Sequence, residues 1–268
     1  MNEQAMSIRV SSYRVNGVSV KKYMPVGAAG RPPVVMVHGG AHGGWVWDVI
    51  ATYLSERGWE CHALDWYNHG DSAKLPETDL IKRGIADVAL QEIRHVVDGL
   101  HHEPILLGHS MGGLASLAYA EKAPAAGLVL LTPVMPASVK PDPIPLQIDH
   151  ARLYGPFPPE LAKRLFFTAL DDAAAGRYQS LLVPESPRAV FEATQWTVSI
   201  DLGAIRAQAL VFAAELDLLT PAVAVERMAR MMGARYELVP GIGHSDILLK
   251  DPERRQVAES INAWLSQR

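Results

Sequence analysis

Residues 104–124 read PILLGHSMGGLASLAYAEKAP, and two kinds of pattern meet in them. Ile105, Leu106 and Leu107 are a continuous apolar run, as in a strand buried on both faces. After Ser110 the stretch is rich in Ala and Leu, which favour helix. Between them lies Gly108-His109-Ser110-Met111-Gly112-Gly113, a G-x-S-x-G motif at a strand-to-helix corner. A serine hydroxyl is a weak nucleophile, so a protein must expose it, supply a base and stabilise the oxyanion that attack creates. Such a corner holds the serine in a strained conformation with its oxygen above the strand end. Glycines two before and two after remove Cβ atoms that would collide there, and the helix start offers unpaired N–H groups and a favourable dipole. The competing reading is a glycine-rich helix start with a capping serine.

Working outward, SIRVSSYRVNG and VSVKKYMPV predict a hairpin closed by Asn16-Gly17. PPVVMVHGG reads as a buried strand, followed by a helix near 46–57 and the strand ECHALDW. A longer helix is predicted over 81–99, with Ile85, Val88, Ala89, Ile93, Val96 and Val97 near helical spacing. The strand 104–108, the helix from 110 and the strand GLVLLTP follow. Alternation of this kind implies a mostly parallel sheet with helices on both faces.

The pattern breaks after Thr132. Ten of the 19 prolines fall between Pro133 and Pro187, which excludes further parallel sheet there. Residues 134–200 are therefore expected to form an inserted, mostly helical cap, with 1–133 and 201–268 as the core. The sheet resumes at AQALVFAAE and ends at RYELVP, giving eight strands. Thr220-Pro221 is expected to open a helix with Thr220 as N-cap, buried through Val223, Met228, Met231 and Met232. Asp251-Pro252 opens the last helix, with Val257, Ile261, Trp264 and Leu265 inward.

Of the 268 residues, 49% are apolar and 20% charged, enough apolar material for a sizeable core. Net charge is −4 and no basic face is evident, so nucleic acid is not an expected partner. The single cysteine, Cys61, reads as a packed core thiol. MNEQAMSIRVSSYRV has no apolar signal-peptide core, and no apolar run is long enough to span a bilayer. A cytoplasmic location with no membrane partner is the default expectation. A small-molecule substrate is the expected partner, with a homodimer left open.

VVMVHGGAHGG, GHSMGG, AAELDLLTP and GIGHSD together resemble the α/β-hydrolase fold family, over nearly the whole chain. The resemblance implies an esterase- or lipase-like serine hydrolase with a triad in the order nucleophile, acid, histidine. Ser110, Asp217 and His244 keep that order. His244 follows the last strand in a Gly-Ile-Gly loop, the family's histidine position; His62, His95, His101, His102 and His150 have no such setting. The acid must accept the other imidazole N–H and fix its tautomer. The segment itself offers Glu215 and Asp217, with Asp201 more distant; the resemblance places the acid at Asp217 and leaves Glu215 a loop hydrogen-bonder.

An oxyanion hole needs two fixed donors. One is the N–H of Met111, after the nucleophile; the other comes from the loop after the third strand. The family assigns the latter to the residue after His-Gly, here Gly40. A dinucleotide reading of residues 38–44 fails for want of G-x-G-x-x-G spacing. A metal reading from His38 and His42 fails because the pair lies in a glycine loop with no carboxylate. No metal or cofactor is expected.

HGGAHGGWVWD further resembles the plant methylesterase and hydroxynitrile-lyase branch, through His42, Trp45 and Trp47. Those lyases carry a threonine where this chain has Gly39 and a lysine where it has Ser245, which disfavours cyanohydrin cleavage. WYNHGDS is expected to be structural, with Gly70 for the turn and Asp71 or Ser72 as caps. His42, Phe157, Phe166, Phe167 and Trp196 are the candidate pocket residues, each of which could equally seal cap to core. Arg152, Lys163, Arg164, Arg177 and Arg188 are candidates for carboxylate or phosphopantetheine recognition, or plain surface charges.

The expected reaction is hydrolysis of a carboxylic ester, thioester or lactone of a small, largely apolar substrate through an acyl-enzyme. The alternatives are C–C hydrolysis, lyase or cofactor-free oxygenase chemistry on the same fold, or a receptor with vestigial turnover.

Overall fold

Strands β1 (Ile8–Val15) and β2 (Val18–Pro25) pair antiparallel around a two-residue turn. Asn16 and Gly17 both have positive φ, 48° and 83°, the twist that a tight hairpin requires. The chain is described here by a computed structural model covering residues 6–27 and 30–268. The expectation about the first residues therefore falls partly on 1–5, outside the described residues.

Six more strands follow: β3 (Val34–Val37), β4 (Cys61–Leu64), β5 (Ile105–His109), β6 (Gly127–Leu131), β7 (Ala209–Ala214) and β8 (Arg235–Val239). They form one eight-stranded sheet in the order β1-β2-β4-β3-β5-β6-β7-β8, parallel from β4 to β8. The sheet is the mostly parallel one that the alternation predicts. Its apolar runs alternate between two faces. Met36, Leu107, Val129 and Phe212 enter one core with Trp47, Ile50, Ile261 and Trp264. Val35, Leu106, Leu128 and Val211 enter the other with Ile85, Ile93, Leu114 and Met228. Period-two burial on both faces explains why these strands read as unbroken apolar runs.

The helices are α1 (Asp48–Ser55), α2 (Glu77–Leu80), α3 (Ile85–Val88), α4 (Arg94–Val97), α5 (Met111–Lys122), α6 (Pro159–Leu165), α7 (Asp172–Gln179), α8 (Pro187–Gln195), α9 (Ala222–Met232), α10 (Asp246–Leu249) and α11 (Glu253–Leu265). The helix expected over 81–99 is shorter and interrupted: α3 and α4 are joined through a π-turn at Ala89–Ile93. Its start is set at Gly84, whose N–H donates to Asp87 Oδ2 at 2.7 Å. On α9 the buried residues are Ala224, Val225, Met228 and Ala229, while Val223 and Met231 face solvent. Thr220 does not cap α9; the N-cap is Pro221, and the threonine hydroxyl is used elsewhere. In α11 Val257, Ile261, Trp264 and Leu265 are buried as expected. Cys61 is free and buried, and burial pushes its thiol up to about 12.

Two features of this topology position a site. The chain leaves β3 towards β4 and returns on the other side of β3 as β5, so a switch point opens at their carboxyl ends. Val37 and Gly108 are register partners, so the His38 loop and Ser110 emerge side by side. Between β6 and β7, α6, α7 and α8 lie over that edge, and Phe157, Phe166 and Phe167 join the first core. Among the described residues no helix is long and apolar enough to cross a membrane.

Candidate active site

Ser110 stands at the end of β5 with φ 53° and ψ −123°, outside the regions that an L-residue prefers. A Cβ on Gly112 would strike the carbonyl oxygens of Val37 and His38, so only glycine lets α5 start this close to β3. Backbone bonds from Ser110 N–H to Leu131 O (3.1 Å) and from Val134 N–H to Ser110 O (2.9 Å) hold the corner.

His244 Nε2 lies 2.8 Å from Ser110 Oγ, and its Nδ1 lies 2.7 Å from Asp217 Oδ2. All three residues are buried. The carboxylate fixes the tautomer: Nδ1–H donates to it, leaving Nε2 to accept from the serine hydroxyl. Asp217 also accepts the N–H groups of Leu219 (2.8 Å) and Thr220 (2.9 Å) on Oδ1 and the Thr220 hydroxyl (2.6 Å) on Oδ2. The His244 carbonyl accepts from His109 Nε2 and Thr132 Oγ1, each at 3.2 Å. Glu215 lies apart and accepts the Gly241 N–H at 2.8 Å, a loop bond. Asp201 only starts a short turn, through Gly203 N–H at 2.9 Å.

Among the described residues the N–H groups of Gly40 and Met111 have no hydrogen-bond acceptor. The peptides around Gly40 are held from behind. His38 Nδ1–H donates to Gly39 O at 2.8 Å while its Nε2 accepts Trp66 N–H at 3.1 Å. His42 Nδ1–H donates to Gly40 O at 2.8 Å while its Nε2 accepts from Ser245 Oγ at 3.2 Å. With the Gly39 carbonyl pinned on one side, the Gly40 N–H of the same peptide is left without a partner among the described residues, while the Ala41 N–H opposite the Gly40 carbonyl donates to Glu185 Oε2 at 3.0 Å.

A chamber of about 50 Å³ opens beside Ser110, lined by Gly40 and Met111 and by apolar side chains including Val134, Leu165 and Val190. Phe157 and Phe166 line it as expected. His42, Phe167 and Trp196 do not. His42 packs under the glycine loop, 5.4 Å from the Phe166 ring. Phe167 is fully buried against Tyr178, and Trp196 donates to Asp142 O at 3.0 Å in the other core. None of the five candidate cap cations lines the chamber. Lys163 donates to Leu170 O, Arg188 pairs with Glu192 at 2.9 Å, and Arg152 lies 3.7 Å from Asp149.

The structure adds residues that the sequence did not reveal. Glu185, a lone acid between two prolines, is buried and lines the chamber. His69 Nε2 lies 3.2 Å from its Oε2, an ion-pair separation. Burial alone would raise the Glu185 carboxyl; His69 and the N–H groups of Ala41 and Ser186 instead bring it below the usual range. Burial pulls the His69 imidazole down, and Glu185, with the Tyr67 carbonyl and Asp65, more than offsets this. Asp246 accepts Gly243 N–H and Ala169 N–H, both at 2.8 Å, and Ser245 N–H donates to Phe166 O at 2.9 Å. These bonds tie the His244 loop to the segment after α6. In WYNHGDS, Ser72 accepts Ser19 N–H and donates to Asp65 O, each at 2.7 Å, whereas Asp71 is exposed and caps nothing.

The buried histidines set an acid limit. Burial holds His42 down to about 4, and His38 and His109 well below the ordinary histidine value. The unfolded chain protonates these imidazoles below pH ~6.5, whereas folded His42 refuses the proton until about 4. Stability is therefore present above ~6.5 and falls on acidification, by up to about 1.4 kcal/mol per pH unit for each such histidine. His69 has the opposite sign: its raised value stabilises at low pH and is lost as pH rises through it. Melting curves between pH 7 and 5 should show the fall, and His42→Gln should make it shallower. An unchanged slope in that variant would contradict the neutral, buried assignment.

The fold and the site define a hydrolase-type arrangement, and comparison with known proteins agrees. The sequence model of the Alpha/beta hydrolase family matches residues 34–259, so the chain belongs to that family. Pyrethroid hydrolase of Sphingobium wenxiniae is 33% identical over 110 residues, covering 39% of this chain and 36% of that protein. Salicylic acid-binding protein 2 of Nicotiana tabacum is 37% identical over 112 residues, covering 39% and 40%. The matched stretches thus span well under two thirds of these relatives. An esterase from Exiguobacterium antarcticum superimposes with a TM-score of 0.71 at 19% identity, over 96% of this chain and 100% of that one. A thermophilic esterase from Thermogutta terrifontis gives 0.70 at 19%, over 97% and 98%. At that identity the likeness is one of fold.

Proposed function

We propose that the protein is a serine hydrolase cleaving a carboxylic ester of a small, largely apolar substrate through an acyl-enzyme. The observation that carries this reading is the hydrogen-bonded line Ser110–His244–Asp217, at 2.8 and 2.7 Å, facing an apolar chamber. Ser110 Oγ attacks the ester carbonyl while His244 Nε2 takes its proton. Asp217 orients the imidazole and stabilises the imidazolium. The N–H groups of Gly40 and Met111 receive the oxyanion, each worth on the order of 3–4 kcal/mol of barrier. The intermediate collapses, His244 protonates the departing alcohol, and water then repeats the sequence to release the acid. Residues 134–200 act as a cap, contributing Phe157 and Phe166 to the chamber wall. Thioesters and lactones need the same parts. The hydrolase and methylesterase names of partial relatives support the ester reading.

A binding protein with slow turnover is the second reading, suggested by the salicylic acid-binding relative and the small chamber. A fluorophosphonate probe should label one site, Ser110, and p-nitrophenyl acetate should turn over well beyond one equivalent. Labelling with release that stops near one equivalent would favour the receptor. No labelling at all would end both the nucleophile assignment and the hydrolase reading.

A further inference from the structure

Ala41, the residue after the Gly40 donor, is held in a conformation that its own chemistry disfavours. Its φ is +63°, in the left-handed region, where a Cβ costs roughly 1–2 kcal/mol. Such strain persists only where the surroundings over-determine it. Here one cap segment grips both backbone groups of Ala41. The N–H donates to Glu185 Oε2 at 3.0 Å, and the carbonyl accepts from Val183 N–H at 2.9 Å. Glu185 is fixed in turn. Its Oε1 accepts Ser186 N–H at 2.7 Å, and its backbone pairs both ways with Tyr154, at 2.9 and 2.8 Å.

The placement is otherwise hard to justify. A methyl on Gly40 would lie 3.3 Å from Glu185 Oε2, so a carboxylate stands beside the place where negative charge develops. An anion there opposes the oxyanion unless it is neutralised. His69 Nε2, 3.2 Å away, is the group placed to offset that charge, and the carboxylate serves as the acceptor of the Ala41 N–H.

We propose that Glu185 is a positioning residue for the oxyanion hole: by accepting the Ala41 N–H it locks the loop so that the Gly40 N–H faces the chamber. The inference rests on the serine-hydrolase reading above. It makes cap placement and oxyanion stabilisation one event, because the 183–185 segment belongs to the cap. Ground-state binding does not use the hole, so the effect belongs in kcat rather than KM.

Glu185→Gln and Glu185→Met are near-isosteric, and both remove the charge; glutamine keeps one carbonyl oxygen, which the Ala41 and Ser186 N–H groups share, and methionine keeps none. Glu185→Met should lower kcat for p-nitrophenyl acetate about 10²-fold with KM within about twofold. It should weaken phenylboronic acid, whose serine adduct is a tetrahedral anion, by the same factor. Glu185→Gln should stay within about tenfold of the parent, since the acceptor remains. Equal losses in the two variants, or a loss confined to KM, would overturn the proposal. Should Glu185→Met not fold, Glu185→Gln decides: a loss beyond about tenfold, or one carried by KM, overturns it, and a smaller loss in kcat matched by weaker phenylboronic acid binding supports it. A parent that neither labels with fluorophosphonate nor turns over would sink the hydrolase reading itself, whereas an active parent with an active Glu185→Met variant sinks this inference alone.

Discussion

Ser110→Ala is expected to lower kcat for short p-nitrophenyl esters about 10⁶-fold, or roughly 8 kcal/mol of barrier, and to abolish fluorophosphonate labelling. The loss is this large because the serine, histidine and acid act as a unit, and removing the nucleophile removes what the other two serve. The fold should survive. Alanine keeps the Cβ, so the cost of φ 53° is unchanged, and the backbone bonds at Leu131 and Val134 do not involve the hydroxyl. The only bond lost is that from Oγ to His244 Nε2. Melting temperature should therefore move little while turnover disappears. A variant that hydrolyses esters like the parent would overturn the mechanism, because it is Ser110 Oγ that lies within hydrogen-bond reach of the His244 base.

What the sequence disclosed follows from how local each feature is. Ser110 is legible because strand, glycine spacing and helix all lie within one short stretch; the central strands β3, β5, β6 and β7 because double burial leaves an unbroken apolar run; and the mostly exposed β1 because Asn16-Gly17 marks its turn into β2. The proposed oxyanion donors owe more to the resemblance, which picks out Gly40 by its place after His38-Gly39, and Met111 by its place after the nucleophile. Phase and direction are less legible. Helical spacing around α9 fixes a period but not the edges of the buried face, so Met228 is buried as expected while Val223 and Met231 face solvent. An aromatic side chain announces burial but not against what, so Phe166 and Phe167, adjacent in the chain, part company at the chamber wall. Thr220 reads as a cap because Thr-Pro is a fair helix start in isolation; a buried carboxylate three residues back competes for the hydroxyl and wins. Glu185 carried no signal at all. Its partners Ala41 and His69 lie in distant loops, and a glutamate between prolines looks like any surface turn until the chain is folded.

Thr220 bears on the second large effect. Asp217→Asn should lower kcat about 10⁴-fold with the fold intact. The direction follows from the donors around the carboxylate. Two backbone N–H groups, of Leu219 and Thr220, point at Oδ1 at 2.8 and 2.9 Å and cannot turn away. Asparagine must set its carbonyl oxygen towards them, because an NH₂ there would face two donors with none to accept. Its NH₂ is then directed at His244 Nδ1, where Oδ2 stood at 2.7 Å. Nδ1 must become the acceptor, so the imidazole proton moves to Nε2, which faces Ser110. A protonated Nε2 cannot take the serine proton, and the base is lost through its tautomer rather than its position. Thr220→Val should cost far less, about tenfold or under, because it removes one donor to the carboxylate and leaves the tautomer unchanged. Pre-steady-state acylation by p-nitrophenyl acetate measures both directly. An Asp217→Asn protein that acylates within about tenfold of the parent would show that the acid is not what fixes His244. Glu215, 2.8 Å from the Gly241 amide on the same loop, would then be the carboxylate to test next.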